Sequence, residues 1–463
     1  MSDAVRPNII VIMSDQLRRD ALGCYGDRDI STPNIDQMAA NGVKFERACS
    51  TYPICVPFRF SFMTGEYAHT RLVPGIEWRM SPSERTMADE FNEAGYETLY
   101  VGKWHLYGGS LHMPGYSAIH VNRTRVPREY QGRWQKWFGF ELRNGPFDTL
   151  YFEDDNPAPR RINGYQTDGL FDLSMNYITE GRDRSRPFCT VISVEPPHPP
   201  MEAPEELEQK WREKELHLPP NFSPAGDQQR ERFLEYRRIY YAMVENLDMN
   251  VGRLRTFLER EDLSENTILV FVSDHGDLCG SHGLLQKQQP FEESVGIPLI
   301  IEDPTAPDSA GRTIEDPTNT EDLFPTILGL AGLTPTNPLK GEDLTPLVRG
   351  TKNGLGRDGV MLEFVSETRK GAVFHEATWR AFRSRDFKYI VMGDINGAEP
   401  HAFYDMANDL YETNNLLDDA GHQEELKRHH QLLRNEMIRT GDHYVLKPAF
   451  GVEGLNVWQD LDR

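Results

Sequence analysis

Two segments of the sequence place carboxylates directly after short apolar runs. Residues 8–13 lead into Ser14-Asp15-Gln16, and residues 267–272 lead into Ser273-Asp274-His275. Such runs are typical of buried parallel strands, and ligands of open α/β sheets bind beyond the carboxyl ends of those strands. A single aspartate in a loop is more often a turn or capping residue. The pairing of the two segments instead predicts that Asp15 and Asp274 converge on one site.

The side chains of these two segments have the donors of a cation site. Asp15, Gln16, Asp274 and His275 offer mainly oxygen, with one imidazole, and no cluster of thiolates indicates zinc. We therefore expect one divalent cation, with Ca²⁺ as the first choice and Mn²⁺ or Mg²⁺ as the alternatives.

A cysteine motif lies between the two segments. Cys55-Val-Pro-Phe-Arg59 is followed after four residues by Thr64-Gly65. This pattern resembles the signature of the sulfatase family, and its five fixed positions arise by chance with odds of roughly one in ten thousand. The resemblance implies that a formylglycine-generating enzyme converts Cys55 to formylglycine, whose aldehyde hydrates to a geminal diol. Phe58 replaces the small residue more common in the family. The alternative is an ordinary buried thiol.

Further segments follow the family pattern in order along most of the chain. They are Gly102-Lys103-Trp104-His105-Leu106, Pro197-His198-Pro199, Ser281-His282-Gly283-Leu284 and Lys287. The resemblance, with the needs of sulfate-ester cleavage, assigns Lys103 and Lys287 to the sulfuryl oxygens and His198 to the general acid. Arg59 would fix the modified side chain, which also contacts the cation, and His105 would be the base that releases sulfate. Gln16 departs from the consecutive aspartates of many members.

Substrate recognition beyond the anion site has weaker signals. Lys103, His198 and Lys287 would contact the sulfate group, and Arg79 and His69 are secondary candidates near the motifs. The stretch from Arg123 to Arg143 mixes arginines with Trp134 and Trp137, which would suit an anionic sugar; the alternative, slightly favoured, is a solvated face with a packed aromatic edge. The expected substrate is a sulfated carbohydrate or an aryl or alkyl sulfate.

The elements that position these residues alternate between strand and helix. The apolar runs at 97–101, 188–194 and 297–301 predict further strands, and Asp227 to Arg260 predicts a long amphipathic helix. The expectation is an α/β fold, by resemblance alkaline-phosphatase-like, with a mostly parallel sheet flanked by helices over residues 1–350. Residues 351–463 would form a smaller α+β subdomain with antiparallel strands at 379–392 and 401–406 and a closing helix at 423–439, which carries His429-His430 on its surface.

Composition excludes some partners. The 463 residues include 50 basic and 72 acidic side chains, a net charge of −22, which disfavours nucleic acid and anionic membranes. The first apolar run is too short for a signal peptide or a membrane span, so a cytoplasmic location is expected. The five scattered cysteines do not form a disulfide framework. The sequence leaves a homo-oligomer open.

Two other functions compete with sulfate-ester hydrolysis. A phosphonate monoester or phosphodiester hydrolase of the same superfamily can share the formylglycine, Asp-Gln and Asp-His pattern. A non-catalytic anion-binding protein would keep an unmodified Cys55, although every expected catalytic residue type is present.

Overall fold

The computed structural model describes residues 6–76, 78–108, 123–142, 145–366, 378–394 and 396–457. Twelve strands in this part of the chain precede residue 350: β1 Asn8–Asp15, β2 Val43–Phe45, β3 Ala48–Cys49, β4 Glu97–Lys103, β5 Lys136–Phe140, β6 Leu150–Glu153, β7 Arg160–Arg161, β8 Phe188–Pro197, β9 Thr267–Ser273, β10 Leu299–Glu302, β11 Arg312–Ile314 and β12 Thr318–Asn319. Ten of them form one sheet in the order β11-β2-β10-β9-β1-β8-β4-β5-β6-β7, and β3 pairs with β12.

The centre of the large sheet is parallel. Strands β9, β1, β8, β4 and β5 run in one direction, whereas β10 is antiparallel to β9 and β6 is antiparallel to β5. Successive residues of β1 point to opposite faces, and all of them are buried, because helices cover both sides. The predicted α/β fold with a mostly parallel sheet flanked by helices is confirmed.

The helices of the described residues are α1 Pro33–Asn41, α2 Cys55–Thr64, α3 Met87–Glu93, α4 Gln166–Asn176, α5 Glu205–Trp211, α6 Asp227–Arg260, α7 Glu292–Val295, α8 Leu323–Leu330, α9 Thr345–Val348 and α10 Gln423–Thr440. Helix α6 has the predicted bounds and packs its apolar face on the sheet with α1 and α4. None of the described helices is both long and apolar enough to cross a membrane.

The C-terminal part contains a four-stranded antiparallel sheet of β13 Gly359–Phe364, β14 Thr378–Ser384, β15 Phe387–Asp394 and β16 Gly397–Asp405, with α10 packed against it. The predicted run at 379–392 is a hairpin of β14 and β15. The surface assignment of the histidine pair is wrong: His429 and His430 are fully buried, because α10 packs this face against the sheet, where Ser384 Oγ and Tyr389 OH hydrogen-bond to their rings. The domain boundary near residue 350 stays a prediction.

Candidate active site

The two strand-end carboxylates meet as expected. Strands β1 and β9 pair in parallel with Ser14 beside Ser273, so the next residues, Asp15 and Asp274, lie side by side. Both side chains are fully buried, and the backbone N–H of Gln16 donates to Asp274 Oδ1 at 3.0 Å. The sheet register therefore brings two negative charges together at its carboxyl edge, 259 residues apart in sequence.

Cys55 is the first residue of α2, and its side chain lies next to these two carboxylates. Its Sγ lies 3.3 Å from His275 Nε2, 3.6 Å from Asp15 Oδ1 and 4.0 Å from Lys103 Nζ. Pro57 is tolerated because it falls in the first helical turn. At the other end Gly65 stops the helix with φ 75° and donates its N–H to the carbonyl of Ser61. The cysteine motif thus encodes a short helix that presents its first residue to the carboxylates.

Arg59 lies one turn further along α2 and ties the site together. Its Nη1 donates to the Lys103 carbonyl and to Ser193 Oγ, both at 2.8 Å. Its Nη2 lies 3.3 Å from Asp15 Oδ2 and 3.2 Å from Asp274 Oδ2. The guanidinium therefore fixes both carboxylates while its own charge partly neutralises them.

Lys103 places a second buried cation beside Asp15. Its Nζ is 2.7 Å from Asp15 Oδ2 and 3.6 Å from Glu195 Oε1. Burial alone would raise the pKa of Asp15, but Lys103, His198, His275 and Arg59 hold it well below its usual range. Burial and the neighbouring Asp15 charge raise the pKa of Asp274 above its usual value. Two adjacent buried carboxylates of this kind favour a positive ion between them.

The geometry and chemistry of four ligands fit a divalent cation. Asp15, Cys55, Asp274 and His275 each bring a ligand atom within 4.8 Å of the others. His275 Nε2 is 3.4 Å from Asp274 Oδ1 and 3.6 Å from Asp15 Oδ1, too long for strong hydrogen bonds. Adjacent ligands that are each about 2.4 Å from one Ca²⁺ are separated by about 3.4 Å. The residues present therefore fit a divalent cation.

Gln16 and Lys287 form a polar network next to this group. Lys287 Nζ donates to Gln16 Oε1, and Gln16 Nε2 donates to Asp277 and, at 3.3 Å, to Tyr236 OH. These partners determine which way the amide faces. Its oxygen is thus paired with Lys287, and the role of Gln16 as a metal ligand stays a prediction.

Three histidines near the carboxylates are neutral at pH 7. Burial first, and then nearby lysines, lower the pKa of His105, His198 and His275 well below the usual value. His198 Nδ1 lies 2.7 Å from the Pro199 carbonyl, which assigns the proton to Nδ1 and leaves a lone pair on Nε2. To act as a general acid, His198 must gain a second proton, and a bound sulfate anion would favour that protonation.

The two secondary substrate candidates lie in different surroundings. His69 is buried, with Nδ1 2.7 Å from Glu363 Oε2 and Nε2 3.3 Å from the Thr440 carbonyl, so protein groups occupy both ring nitrogens. Arg79 is exposed, donates to the Tyr107 carbonyl at 2.8 Å and lies over the Tyr107 ring. The loop position of Arg79 suits substrate contact, and that of His69 suits a structural role.

The aromatic residues between Arg123 and Arg143 belong to the core. Trp134 and Trp137 are fully buried and pack with Tyr100 and Trp104. Arg133 pairs with Asp89. The packed-edge interpretation of the tryptophans is therefore confirmed, and Arg143 lies outside the described residues.

Comparison with known proteins decides the family. Residues 7–333 match the model of the family described as Sulfatase, and residues 280–439 match that of the C-terminal region of N-sulphoglucosamine sulphohydrolase. The chain belongs to the sulfatase family. It is an enzyme that hydrolyses sulfate esters, and membership implies a metal ion and formylglycine.

Relatives and solved structures agree with this assignment. The sulfatase is 30% identical to the ulvan-active sulfatase of Formosa agariphila over 90% of this chain and 78% of the relative. An enzyme solved with its substrate D-glucosamine-2-N,6-O-disulfate is 24% identical with a TM-score of 0.81, covering 94% of this chain and 98% of that one. The phosphonate monoester hydrolase of Agrobacterium radiobacter is 23% identical with a TM-score of 0.75, covering 94% and 96%. The last two show the fold alone.

Several polar residues of the sulfatase site were not predicted. Glu195 lies near Lys103, Ser193 accepts from Arg59, and Asp277 accepts from Gln16 and from Tyr236 OH at 2.6 Å. One signal was available for Glu195, because it is a charged residue at the end of an otherwise apolar strand, β8. Tyr236 lies on α6, and its sequence surroundings give no such signal.

Proposed function

We propose that this sulfatase cleaves sulfate monoesters at a formylglycine made from Cys55, beside one divalent cation held by Asp15, Asp274 and His275, with Gln16 next to them. One observation carries the proposal: Cys55 Sγ lies between His275 Nε2, at 3.3 Å, and Asp15 Oδ1, at 3.6 Å, in the group that fits a cation. When bound, the cation supplies Lewis-acid charge for a sulfuryl oxygen and for the nucleophilic hydroxyl.

Charge neutralisation comes from the lysines and the arginine. Lys103 Nζ lies 4.0 Å from Cys55 Sγ, so it is within reach of a sulfate group that reacts there. Lys287 reaches the same network through Gln16. Arg59, which is fully buried, holds the two carboxylates in place. Preorganised cations in a buried site stabilise developing negative charge without reorganisation.

Proton transfer falls to the two remaining histidines. His198 follows β8 directly, and its Nε2 carries no proton in the neutral ring. A bound sulfate anion would favour protonation of Nε2, which could then donate that proton to the leaving oxygen. His105 is buried and neutral, as a base must be, and no described residue hydrogen-bonds to its Nδ1. His105 is therefore suited to accept the proton whose removal releases sulfate.

A sulfated carbohydrate is the favoured substrate class within this proposal. The enzyme solved with glucosamine disulfate shares the fold over nearly the whole chain. The exposed guanidinium of Arg79 lies over the rings of Tyr107 and Tyr130, with its Cζ 4.3 and 5.3 Å from the ring centroids. Tyr107 follows His105 by two residues. A cation on an aromatic shelf suits a sugar that carries a further anionic group. Aryl and alkyl sulfates stay open.

Three accompanying proposals concern the cofactors and the setting of the enzyme. Ca²⁺ is the proposed ion, with Mn²⁺ and Mg²⁺ as alternatives, because Asp15, Asp274 and the formylglycine made from Cys55 would all offer oxygen donors. A formylglycine-generating enzyme is the proposed maturation partner. A cytoplasmic location stays a proposal.

The main competitor is a phosphonate monoester or phosphodiester hydrolase, because one such enzyme shares the fold. Sulfate monoesters, phosphodiesters and phosphonate monoesters all carry one negative charge, so charge does not separate them, whereas a phosphate monoester carries nearly two. A site with one cation disfavours the phosphate monoester. The family match favours sulfate over the other two.

Steady-state kinetics on matched 4-nitrophenyl sulfate, phosphate, phosphodiester and phosphonate tests the proposal. The protein must first be shown by peptide mass to carry formylglycine at Cys55. We expect the highest kcat/KM for sulfate. A phosphonate or diester preferred by more than about tenfold, roughly 1.4 kcal/mol, would overturn the assignment in favour of the competitor.

A further inference from the structure

The loop that carries His105 is held by a residue on the next strand. Strand β5 runs parallel to β4 with Phe140 beside Lys103, so Glu141 follows the strand next to the loop. The backbone N–H of Trp104 donates to the Phe140 carbonyl at 2.8 Å, and that of His105 to the Glu141 carbonyl at 2.7 Å. The main chain of His105 is thus attached to Glu141.

The carboxylate of Glu141 holds the residues that follow His105. Its Oε1 accepts from the backbone N–H of Tyr107 at 3.0 Å and of Gly108 at 2.8 Å, and its Oε2 lies 3.1 Å from the Tyr107 nitrogen. The side chain is buried, with 1% of its surface exposed. A buried carboxylate lowers the stability of the folded state unless it is hydrogen-bonded, and these backbone N–H groups provide the hydrogen bonds.

His105 needs such support because its backbone is unusual. Its φ is 57°, in the left-handed region that residues with a side chain seldom adopt. A residue in this conformation persists only where its surroundings fix it. Glu141 fixes the main chain on both sides of this strained residue. Its backbone carbonyl accepts from the N–H of His105 itself, and its carboxylate accepts from the N–H groups of Tyr107 and Gly108.

We propose that Glu141 is a positioning residue for His105. The inference rests on the proposed function, in which the His105 imidazole moves a proton. Glu141 would act through the main chain of the loop, which fixes the buried imidazole beside the charges of Lys103, Arg59 and Asp15. A displacement of a catalytic group by about 1 Å can lower the rate up to about a hundredfold.

A double-mutant cycle of Glu141→Gln and His105→Ala tests this role. Gln keeps the size of Glu and one acceptor oxygen, but its NH₂ cannot accept from a backbone N–H. We expect E141Q to lower kcat about tenfold with KM changed less than about twofold. In the H105A background E141Q should lower kcat by less than about twofold, because no imidazole is left to position.

Controls separate positioning from folding and from the proposed function. Asp248 is a matched control: it is buried and accepts from the backbone N–H of Asn34 and Ile35, joining α6 to α1. D248N should keep kcat within about twofold. Formylglycine and metal content are measured for every variant, and E141D replaces E141Q if the latter does not fold.

The cycle is run on whichever nitrophenyl ester the parent enzyme cleaves fastest. A preference for phosphonate would then overturn the proposed function and still leave Glu141 tested. Unchanged kcat in E141Q overturns the inference. So does a full additional loss in E141Q/H105A, because independent effects mean that Glu141 does not act through His105.

Discussion

Among the described residues, two groups whose members are all buried combine a histidine with two carboxylates, and they differ in how many strong hydrogen bonds the protein makes to them. Around Cys55 the group is Asp15, Asp274 and His275; the second group is His69, Glu363 and Asp442. In the second, Glu363 and the Thr440 carbonyl engage both nitrogens of His69, and Arg380 contacts Asp442 at 2.5 and 3.1 Å. The chain itself supplies every partner there, so we call His69, Glu363 and Asp442 the closed group and the group around Cys55 the open group.

The group around Cys55 is left open. His275 Nε2 lies 3.4 and 3.6 Å from the two carboxylates, too far for strong hydrogen bonds, and its nearer partner is the Cys55 thiol at 3.3 Å. The imidazole of His105 keeps a buried nitrogen to which no described residue hydrogen-bonds. Burial and charge are common to both groups, so they do not identify an active site. Buried ligand atoms that lack strong hydrogen-bond partners do indicate an active site, because a ligand or an ion can occupy the remaining positions.

Removal of the Cys55 side chain should have the largest effect. We expect C55A to lose at least about 10⁴-fold in kcat/KM on 4-nitrophenyl sulfate, because no nucleophile is left. D442N, in the closed group, should keep kcat within about twofold. Activity of C55A above about one hundredth of the parent value would contradict the role of Cys55.

Next in size is the effect of removing a carboxylate from the open group. D274N should lower bound metal from about one ion per chain to less than about 0.1 and lower kcat/KM about a thousandfold. Elemental analysis of protein equilibrated with Ca²⁺ measures the first quantity. D442N should retain the parent metal content. An equal loss of metal in both variants would contradict the assignment of the ion to the group around Cys55.

The closed group should instead affect stability in a pH-dependent manner. Burial opposes protonation of His69, but Glu363 outweighs it and raises the pKa of His69 to about 9. Because the folded value exceeds the unfolded one, about 6.5, this stability is fully present below about pH 6.5 and is lost as pH rises through 9. The loss amounts to about 3 kcal/mol.

Urea unfolding at pH 6.5 and pH 9.5 measures that loss for the parent enzyme and for H69Q. The parent should lose about 3 kcal/mol more than the variant between the two pH values. Parallel stability changes in the two proteins would show that His69 does not carry the charge that we assign to it.

The smallest effect concerns Arg79, the exposed cation over Tyr107 in the loop that follows His105. R79M should raise KM for D-glucosamine-2-N,6-O-disulfate about fivefold with kcat changed less than about twofold, because a surface guanidinium contributes roughly 1 kcal/mol. R79K, which keeps the charge, should recover part of the loss. If the parent binds the disulfate only without turnover, its inhibition of 4-nitrophenyl sulfate hydrolysis gives the same comparison. An unchanged KM in R79M would remove Arg79 from substrate recognition.

Local pattern was enough to predict the framework of this protein. The apolar runs before Asp15 and Asp274 are adjacent parallel strands, and the helix at Asp227–Arg260 has the predicted bounds. The cysteine motif is a helix that begins at Cys55. These features depend on side-chain periodicity, on Pro and Gly positions and on strand ends, all of which are encoded within a few neighbouring residues.

Only the tertiary structure decided which polar groups meet and which are left open. His69 and His105 both lie in or near motif segments and both are buried, yet Glu363 hydrogen-bonds to His69 Nδ1, whereas no described residue hydrogen-bonds to His105 Nδ1. The support of His105 by Glu141, and the burial of His429 under Ser384, join segments that lie 36 and 45 residues apart. Such partners are set by strand order and packing, and a chain of alternating runs fits many strand orders with the same local pattern.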